Sequence, residues 1–132
     1  MKIRLENIDF NSNSGPNSFG KKLHKYLYLQ GHKVCWKDYE AVLCFIETDR
    51  EFPNKKLFQR LDGIYFNTDF DYKIQNKNIL KTYNHADGVI FQSAFNKELT
   101  EKYFGKHKNS TIIHNGADIE LIKSIDPIQN NI

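Results

Sequence analysis

Apolar and polar residues alternate at the start of the chain, in Lys2-Ile3-Arg4-Leu5-Glu6-Asn7-Ile8, a pattern that predicts a strand. A polar loop follows from Asp9 to Asn17 and carries Gly15-Pro16-Asn17. Phe19, Leu23, Tyr26 and Leu27 then recur at i, i+4, i+7 and i+8, the spacing of one helix face. Asn17 or Ser18 can accept from the first free N–H groups of that helix, and Gly31 can end it in a left-handed turn. His32 to Trp36 predicts a short second strand. Ala41 to Ile46 is apolar throughout, as suits a strand covered on both faces of a parallel sheet. The link between these two runs is only about four residues, too short for a helical crossover, so the strand order around residues 32–46 stays open.

Further on, Lys56 to Leu61 predicts a fourth strand, ended by Asp62-Gly63. Ile64 to Lys77 reads as a long aromatic and acidic loop, and Asn78 to His85 as a helix with Ile79, Leu80 and Tyr83 on one face. Gly88 to Gln92 is a fifth strand. Ser93 is placed to cap a helix whose Phe95, Leu99 and Tyr103 share a face and which Gly105 ends. Ser110 to His114 is a sixth strand, closed by an Asn115-Gly116 turn. Asp118 is placed to cap a last short helix bearing Leu121, Ile122 and Ile125, and residues 126–132 read as a frayed tail.

Strands alternating with helices predict an α/β fold, a Rossmann-like three-layer sandwich with a mostly parallel sheet. The 132 residues suit one domain spanning 1–132, with enough chain to bury a core. A hydrophobic fraction of 39% argues against disorder. The net charge of +3 comes from scattered lysines, without the clustering that a nucleic-acid partner requires. Cys35 and Cys44 lie inside apolar runs and read as buried free thiols rather than a disulfide. With no apolar run of membrane-spanning length and no leader pattern, the expectation is a soluble, cytoplasmic protein.

In such sheets ligands bind beyond the carboxyl ends of the strands. Polar groups fall there at Gly15-Pro16-Asn17, Glu47 to Arg50, Arg60 to Gly63, Gln92-Ser93 and His114-Asn115-Gly116. Gly15, Pro16 and Asn17 form either a tight turn before a helix or a phosphate-facing loop. Asp62 either accepts N–H bonds from its own turn or stands in a cleft, where a carboxylate can bind a hydroxyl or stabilise a cationic sugar transition state. Arg60, two residues earlier, shares a sheet face with Asp62 and can pair with it or hold a phosphate. Asp69-Phe70-Asp71 has the form of a metal-binding Asp-x-Asp, but two acids before a helix more often act as caps. The histidines show no ligand spacing, so no metal is expected. Gly-x-Gly-x-x-Gly is absent, so no dinucleotide cofactor is expected either. Ile64-Tyr65-Phe66 is either core or a stacking wall for a sugar ring.

Several of these segments resemble, in order, those of family 4 glycosyltransferases. Ser14-Gly15-Pro16-Asn17, followed by a helix ending in Gly31-His32-Lys33-Val34, is similar to the family's Gly-Gly-x-x, helix, Gly-His-x-Val opening, with Ser14 in place of the first glycine. Arg60-Leu61-Asp62-Gly63 resembles its strand-end segment, without the His that commonly sits there. Ala86-Asp87-Gly88-Val89-Ile90-Phe91-Gln92-Ser93 resembles its Ala-Asp-x-Val-x-x-x-Ser. Ile113-His114-Asn115-Gly116-Ala117-Asp118 resembles its Pro-Asn-Gly-Val-Asp, with His114 for the proline.

The resemblance implies the amino-terminal, acceptor-side domain of a GT-B enzyme, a retaining transferase that uses a nucleotide-sugar donor and no metal. It implies that the donor diphosphate approaches Gly15, Pro16 and Asn17, that Asp62 stands in the reactive cleft, and that Glu47, Asp49, Arg60 and Ser93 are candidates for contact with a glycan acceptor. His114, Asn115 and Gly116 would lie at the interdomain edge. The donor-binding half, with its Glu-x7-Glu motif, is not in this sequence and would come from a separate domain or subunit. The other reading is a non-catalytic glycan- or nucleotide-binding module or regulatory subunit that shares the scaffold. On either reading Asp62→Asn, at a rim position, is expected to leave stability unchanged.

Overall fold

The computed structural model describes residues 1–116 and 119–126. Among these residues six strands and four helices follow in order: β1 (Lys2–Glu6), α1 (Gly15–Leu29), β2 (Lys33–Val34), β3 (Ala41–Phe45), β4 (Lys56–Leu61), α2 (Tyr72–His85), β5 (Gly88–Phe91), α3 (Ala94–Phe104), β6 (Ser110–Ile112) and α4 (Ile119–Ser124). The strands form one sheet in the order β2-β1-β3-β4-β5-β6, and every neighbouring pair is parallel. The expected Rossmann-like α/β sandwich is therefore present, with a sheet that is wholly rather than mostly parallel. The expected Asp118 cap and the tail from residue 127 lie outside the described residues.

Alternation along the strands assigns the two faces. Leu57, Gln59 and Leu61 of β4 point to one side, Phe58 and Arg60 to the other. On the first side Leu61, Val89 and Phe91 pack with Ile79 and Tyr83 of α2, with Leu99 and Phe104 of α3 against them. On the other side α1 covers the sheet, its Phe19 ring 6.1 Å from that of Phe45. Gly20 of α1 presses onto the loop after β1, where an added Cβ would come within 2.8 Å of Ile8 Cδ1.

The open question around residues 32–46 is resolved by the brevity of β2. Val34 and Ala41 both sit beside Ile3, one on each flank of β1. The link has only to step over a single strand, roughly two interstrand spacings of about 4.8 Å, and residues 35–40 do so without a helix. The crossing brings Trp36 and Tyr39 over Arg4 of β1, at 5.3 and 5.7 Å from its guanidinium carbon.

Several expected boundaries move. β1 stops at Glu6, short of Ile8, because Asn7 turns into the left-handed region at φ 63°. β3 stops at Phe45 because Ile46 does the same at φ 73°. α1 starts at Gly15, with Ser14 as N-cap and Pro16 in the first turn, so Asn17 and Ser18 lie inside the helix rather than capping it. Asn17 Oδ1 instead accepts the N–H of Asp9 at 2.9 Å. Gly31 ends α1 at φ 84°, as expected.

α2 begins at Tyr72, six positions before the expected Asn78, with Asp71 Oδ1 accepting the N–H of Ile74 at 3.2 Å. Asp71 is thus a cap. Ser93 also caps as expected, accepting the N–H of Asn96 at 3.1 Å. The expected apolar faces are less faithful. Tyr26, Phe95, Tyr103, Ile122 and Ile125 are exposed, and α3 buries Asn96 and Thr100 instead. Ile64 is core, whereas Tyr65 and Phe66 are about half exposed.

Candidate functional site at the carboxyl rim of the sheet

All strands run the same way, so the segments after them lie along one rim. The strand order reverses its direction of growth at β1, whose neighbours are β2 and β3. That switch point is where an α/β sheet opens a crevice. Both strands beside the crevice end in left-handed residues. Ile46 closes a γ-turn, its successor Glu47 donating N–H to Phe45 O at 2.9 Å. A β-branched residue there is strained by about 1–3 kcal/mol, and such strain concentrates at functional sites. Asn7 Nδ2 donates to the same Phe45 oxygen at 2.8 Å and ties the two strand ends together.

Over the end of β1 lies a cavity of about 450 Å³. Arg4, Glu6, Asn7, Asp9, Trp36 and Arg50 supply its polar and aromatic wall, and Pro16 and Asn17 close it from the first turn of α1. Arg4 Nε donates to Glu6 Oε2 at 2.9 Å, while Phe52 joins Trp36 and Tyr39 around the guanidinium at 5.6 Å. Glu6 is 8% exposed. Its other oxygen faces Arg50 Nε at 3.6 Å and accepts from Thr48 Oγ1 at 3.2 Å. A smaller hollow of about 250 Å³ shares Glu6, Asn7 and Arg50 and reaches Glu47, Asp49 and Asn78.

On the other side of the α1 N-terminus stands Arg60. It is buried, at 4% exposed, with its guanidinium carbon 3.8 Å from the Phe19 ring centroid. Nη1 donates to Asp62 Oδ1 at 2.5 Å, and Nη2 donates to Asn115 Oδ1. One side chain therefore joins the first turns of α1, the end of β4 and the loop after β6. Of the two readings of Arg60, pairing with Asp62 is the one observed. Stacking on a ring and two charge-assisted bonds compensate a charge that is otherwise costly to bury.

The rim residues expected from sequence fall into three groups. Arg60, Asp62 and Asn115 are in contact. Glu47 and Asp49 line the smaller hollow, and Pro16 and Asn17 the larger cavity. Ser93 is committed to capping α3, Gly15 opens α1, and His114 and Gly116 are exposed beyond β6. Asp87 has a structural task. Its carboxylate accepts the N–H of Leu57 at 2.8 Å and its own N–H donates to Leu57 O at 2.7 Å, joining the starts of β4 and β5. Gly88 follows because an added Cβ there would meet the Phe58 ring at 3.0 Å.

Arg4, Glu6 and Trp36 were not among the residues expected from sequence, whereas Arg50 belongs to the polar group Glu47 to Arg50 expected at the rim. The signal for the first two was present: a strand interior to a parallel sheet is buried on both faces, so charges at positions 4 and 6 need a use. Trp36 carries no comparable signal, because only the crossing link after β2 brings it there.

Among the described residues, no cluster of three or more His, Cys, Asp or Glu could hold a metal ion, and no helix is long and apolar enough to cross a membrane. Both cysteines are free, Cys44 buried and Cys35 half-buried. Burial, then the charges of Glu6 and Glu47, push the Cys44 thiol up to about 12. Comparison of the chain with protein-family models, with curated proteins and with solved structures finds no match.

Proposed function

We propose that the chain is the acceptor-side domain of a family 4-like glycosyltransferase, working with a separate donor-binding domain or subunit. The observation that carries this reading is the Arg60 contact set. Two segments that resemble the family's motifs, at residues 60–63 and 113–116, are distant in sequence, and Arg60 joins Asp62 and Asn115 to Phe19 of the helix that follows residues 14–17. In the proposed reaction the bond from the donor's anomeric carbon to the diphosphate oxygen breaks. An acceptor hydroxyl oxygen bonds that carbon and its proton passes to the leaving phosphate, with retention of configuration. Asp62 stabilises the oxocarbenium-like charge through Oδ2, the oxygen that Arg60 leaves free, and Arg60 fixes the carboxylate in place. The diphosphate approaches Gly15 on the Arg60 side of the α1 N-terminus. Glu47 and Asp49 meet the acceptor, and the second domain faces Asp62 and Asn115.

A second reading, a non-catalytic glycan- or nucleotide-binding module or regulatory subunit, is favoured by the neutralisation of Asp62 by Arg60. One experiment separates the two. The purified chain is incubated with a panel of nucleotide sugars and candidate acceptors, alone and with a co-expressed donor-type domain, and products are read by mass spectrometry. The glycosyltransferase reading expects product only in the two-domain mixture, since positioning across a cleft is worth about 7–11 kcal/mol. Transfer by the chain alone would overturn the division of labour. No transfer in either arm would favour the module.

A further inference from the structure

We infer that the cavity over the end of β1 is a binding site for an uncharged pyranose sugar, with Trp36 as its stacking platform. The inference deepens the proposed function by naming the chemistry of the acceptor, and it rests on that reading only for the word acceptor.

Size is the first constraint. At about 450 Å³ the cavity lies in the range of roughly 300–1,000 Å³ that small-molecule sites occupy. The adjoining hollow shares Glu6, Asn7 and Arg50 with it but is lined besides by Glu47 and Asp49, and lies beside the cavity as a separate, more acidic recess.

Charge selects among ligands. Two arginines, Arg4 and Arg50, stand against two carboxylates, Glu6 and Asp9. The carboxylates would repel a phosphate, and the arginines would repel a cation. A neutral polyol meets neither penalty. Its hydroxyls both donate and accept, which suits a wall built of guanidinium, carboxylate and amide groups in alternation.

The groups are also available. Glu6 holds Arg4 through Nε, so Arg4 lines the cavity with its terminal amino groups uncommitted among the described residues. Asp9 Oδ1 accepts the N–H of Asn11 at 2.9 Å, which leaves Oδ2 for a ligand hydroxyl. The Arg50 side chain is 66% exposed and approaches Glu6 through Nε alone, at 3.6 Å, so its terminal amino groups face the open side of the cavity.

Shape completes the match. Trp36 is 51% exposed although its ring is stacked beside Arg4 and lines the cavity. An indole left half open next to paired donors and acceptors offers the flat apolar surface on which the C–H face of a pyranose rests. The platform is rigid: Arg4 is gripped by three rings and Glu6, and the crossing link is bonded to β1 by Cys35 N–H to Ile3 O at 3.0 Å and Glu40 N–H to Lys2 O at 2.8 Å. Little ordering is then needed on binding.

Trp36 is the only tryptophan in the chain, so its indole N–H resonance reports the site directly. The ¹⁵N-labelled chain is titrated with the methyl glycosides of glucose, galactose, mannose and N-acetylglucosamine, and separately with inorganic phosphate and pyrophosphate. The expected result is saturable movement of the Trp36 indole and of the Asn7 and Asp9 amides by at least one glycoside, with a Kd of about 1–10 mM. Phosphate and pyrophosphate should leave those signals in place. Trp36→Ala, followed at the Asn7 and Asp9 amides, should weaken binding about tenfold, as should Arg50→Ala, whose exposed side chain makes loss of folding an implausible cause. No saturable movement with any glycoside would overturn the inference, as would movement driven by phosphate instead. Sugar binding without transfer in the two-domain assay would leave the site standing and remove the enzyme reading. Transfer that Trp36→Ala leaves unaltered in acceptor KM would do the reverse.

Discussion

At the residue scale the decisive side chain is Arg60. It is 4% exposed and depends on Asp62 for half of its charge-assisted bonding. The expectation that Asp62→Asn would be silent in stability therefore gives way to a different one. An Asn oxygen still accepts from Nη1 but brings no charge, so stability should fall by about 1–2 kcal/mol, less than for a fully buried pair because the Asp62 side chain is 31% exposed. A lower urea midpoint at unchanged m-value would register it. On the proposed reading, transfer in the two-domain mixture should also fall by about 100-fold. Cys44 makes a second residue-scale prediction. Its thiol keeps its proton to about 12 in the fold, against an ordinary value of 9.0. Between those values the folded state holds the extra proton, so its stability should decline as pH rises above 9.0, by at most about 1.4 kcal/mol per pH unit. At pH 8, an alkylating reagent should modify Cys35 in the native protein and both cysteines after denaturation, as read by mass. Equal labelling of the two in the native state would contradict the burial of Cys44.

Element-scale behaviour is set by polar residues that the helices bury. α3 buries Asn96 and Thr100: Asn96 Nδ2 donates to Leu61 O at 2.6 Å, and its Oδ1 accepts from Thr100 Oγ1 at 3.1 Å. The helix is thereby keyed to the end of β4 by hydrogen bonds, and Phe95 and Tyr103 are left outward. α2 does the same for the loop that follows β4. Asn76, 4% exposed, accepts the Tyr65 N–H at 2.8 Å and donates to the Tyr65 carbonyl at 2.6 Å. Replacing Asn76 by Ala removes both bonds and orphans the two backbone groups, which should cost about 2–3 kcal/mol. The same change should release residues 62–71, so chymotrypsin should cut at Tyr65, Phe66 or Phe70 faster than in the parent chain. An unchanged cleavage rate would show that the loop is held by something other than this clamp.

For the whole molecule, the all-parallel sheet places its longest ladders in the middle and its two shortest strands, β2 and β6, at the edges. Amide exchange should follow that order, with the slowest amides in β1, β3, β4 and β5 and the fastest strand amides in β2 and β6. Uniform protection across all six strands would contradict it. The same arrangement produces the rim. Parallel strands align their carboxyl ends, so the loops that share chemistry share an edge.

Local pattern sufficed for the strand and helix content and for the sheet's parallel character, because alternation, apolar runs, Ser93, Asp71 and Gly31 act through neighbours in sequence. Lys56 to Leu61 coincides with β4 as found. The α2 start was not legible, because Tyr72 to Lys77 buries only Asn76 and shows no apolar stripe. Nor was the end of β3, since a β-branched Ile46 reads as strand and takes φ 73° only under the constraint of its surroundings. The tertiary structure alone decided which charges are spent and which are free. Arg60 and Asp62 are two residues apart, but the ring of Phe19 and the amide of Asn115 that complete their burial come from distant segments. Arg4 and Glu6 become the floor of a cavity only because a two-residue β2 lets the chain cross β1 directly and lay Trp36 beside them. Hydrophobic period records which side of an element is buried. It carries no information about what the opposite side meets, and that meeting is what makes a site.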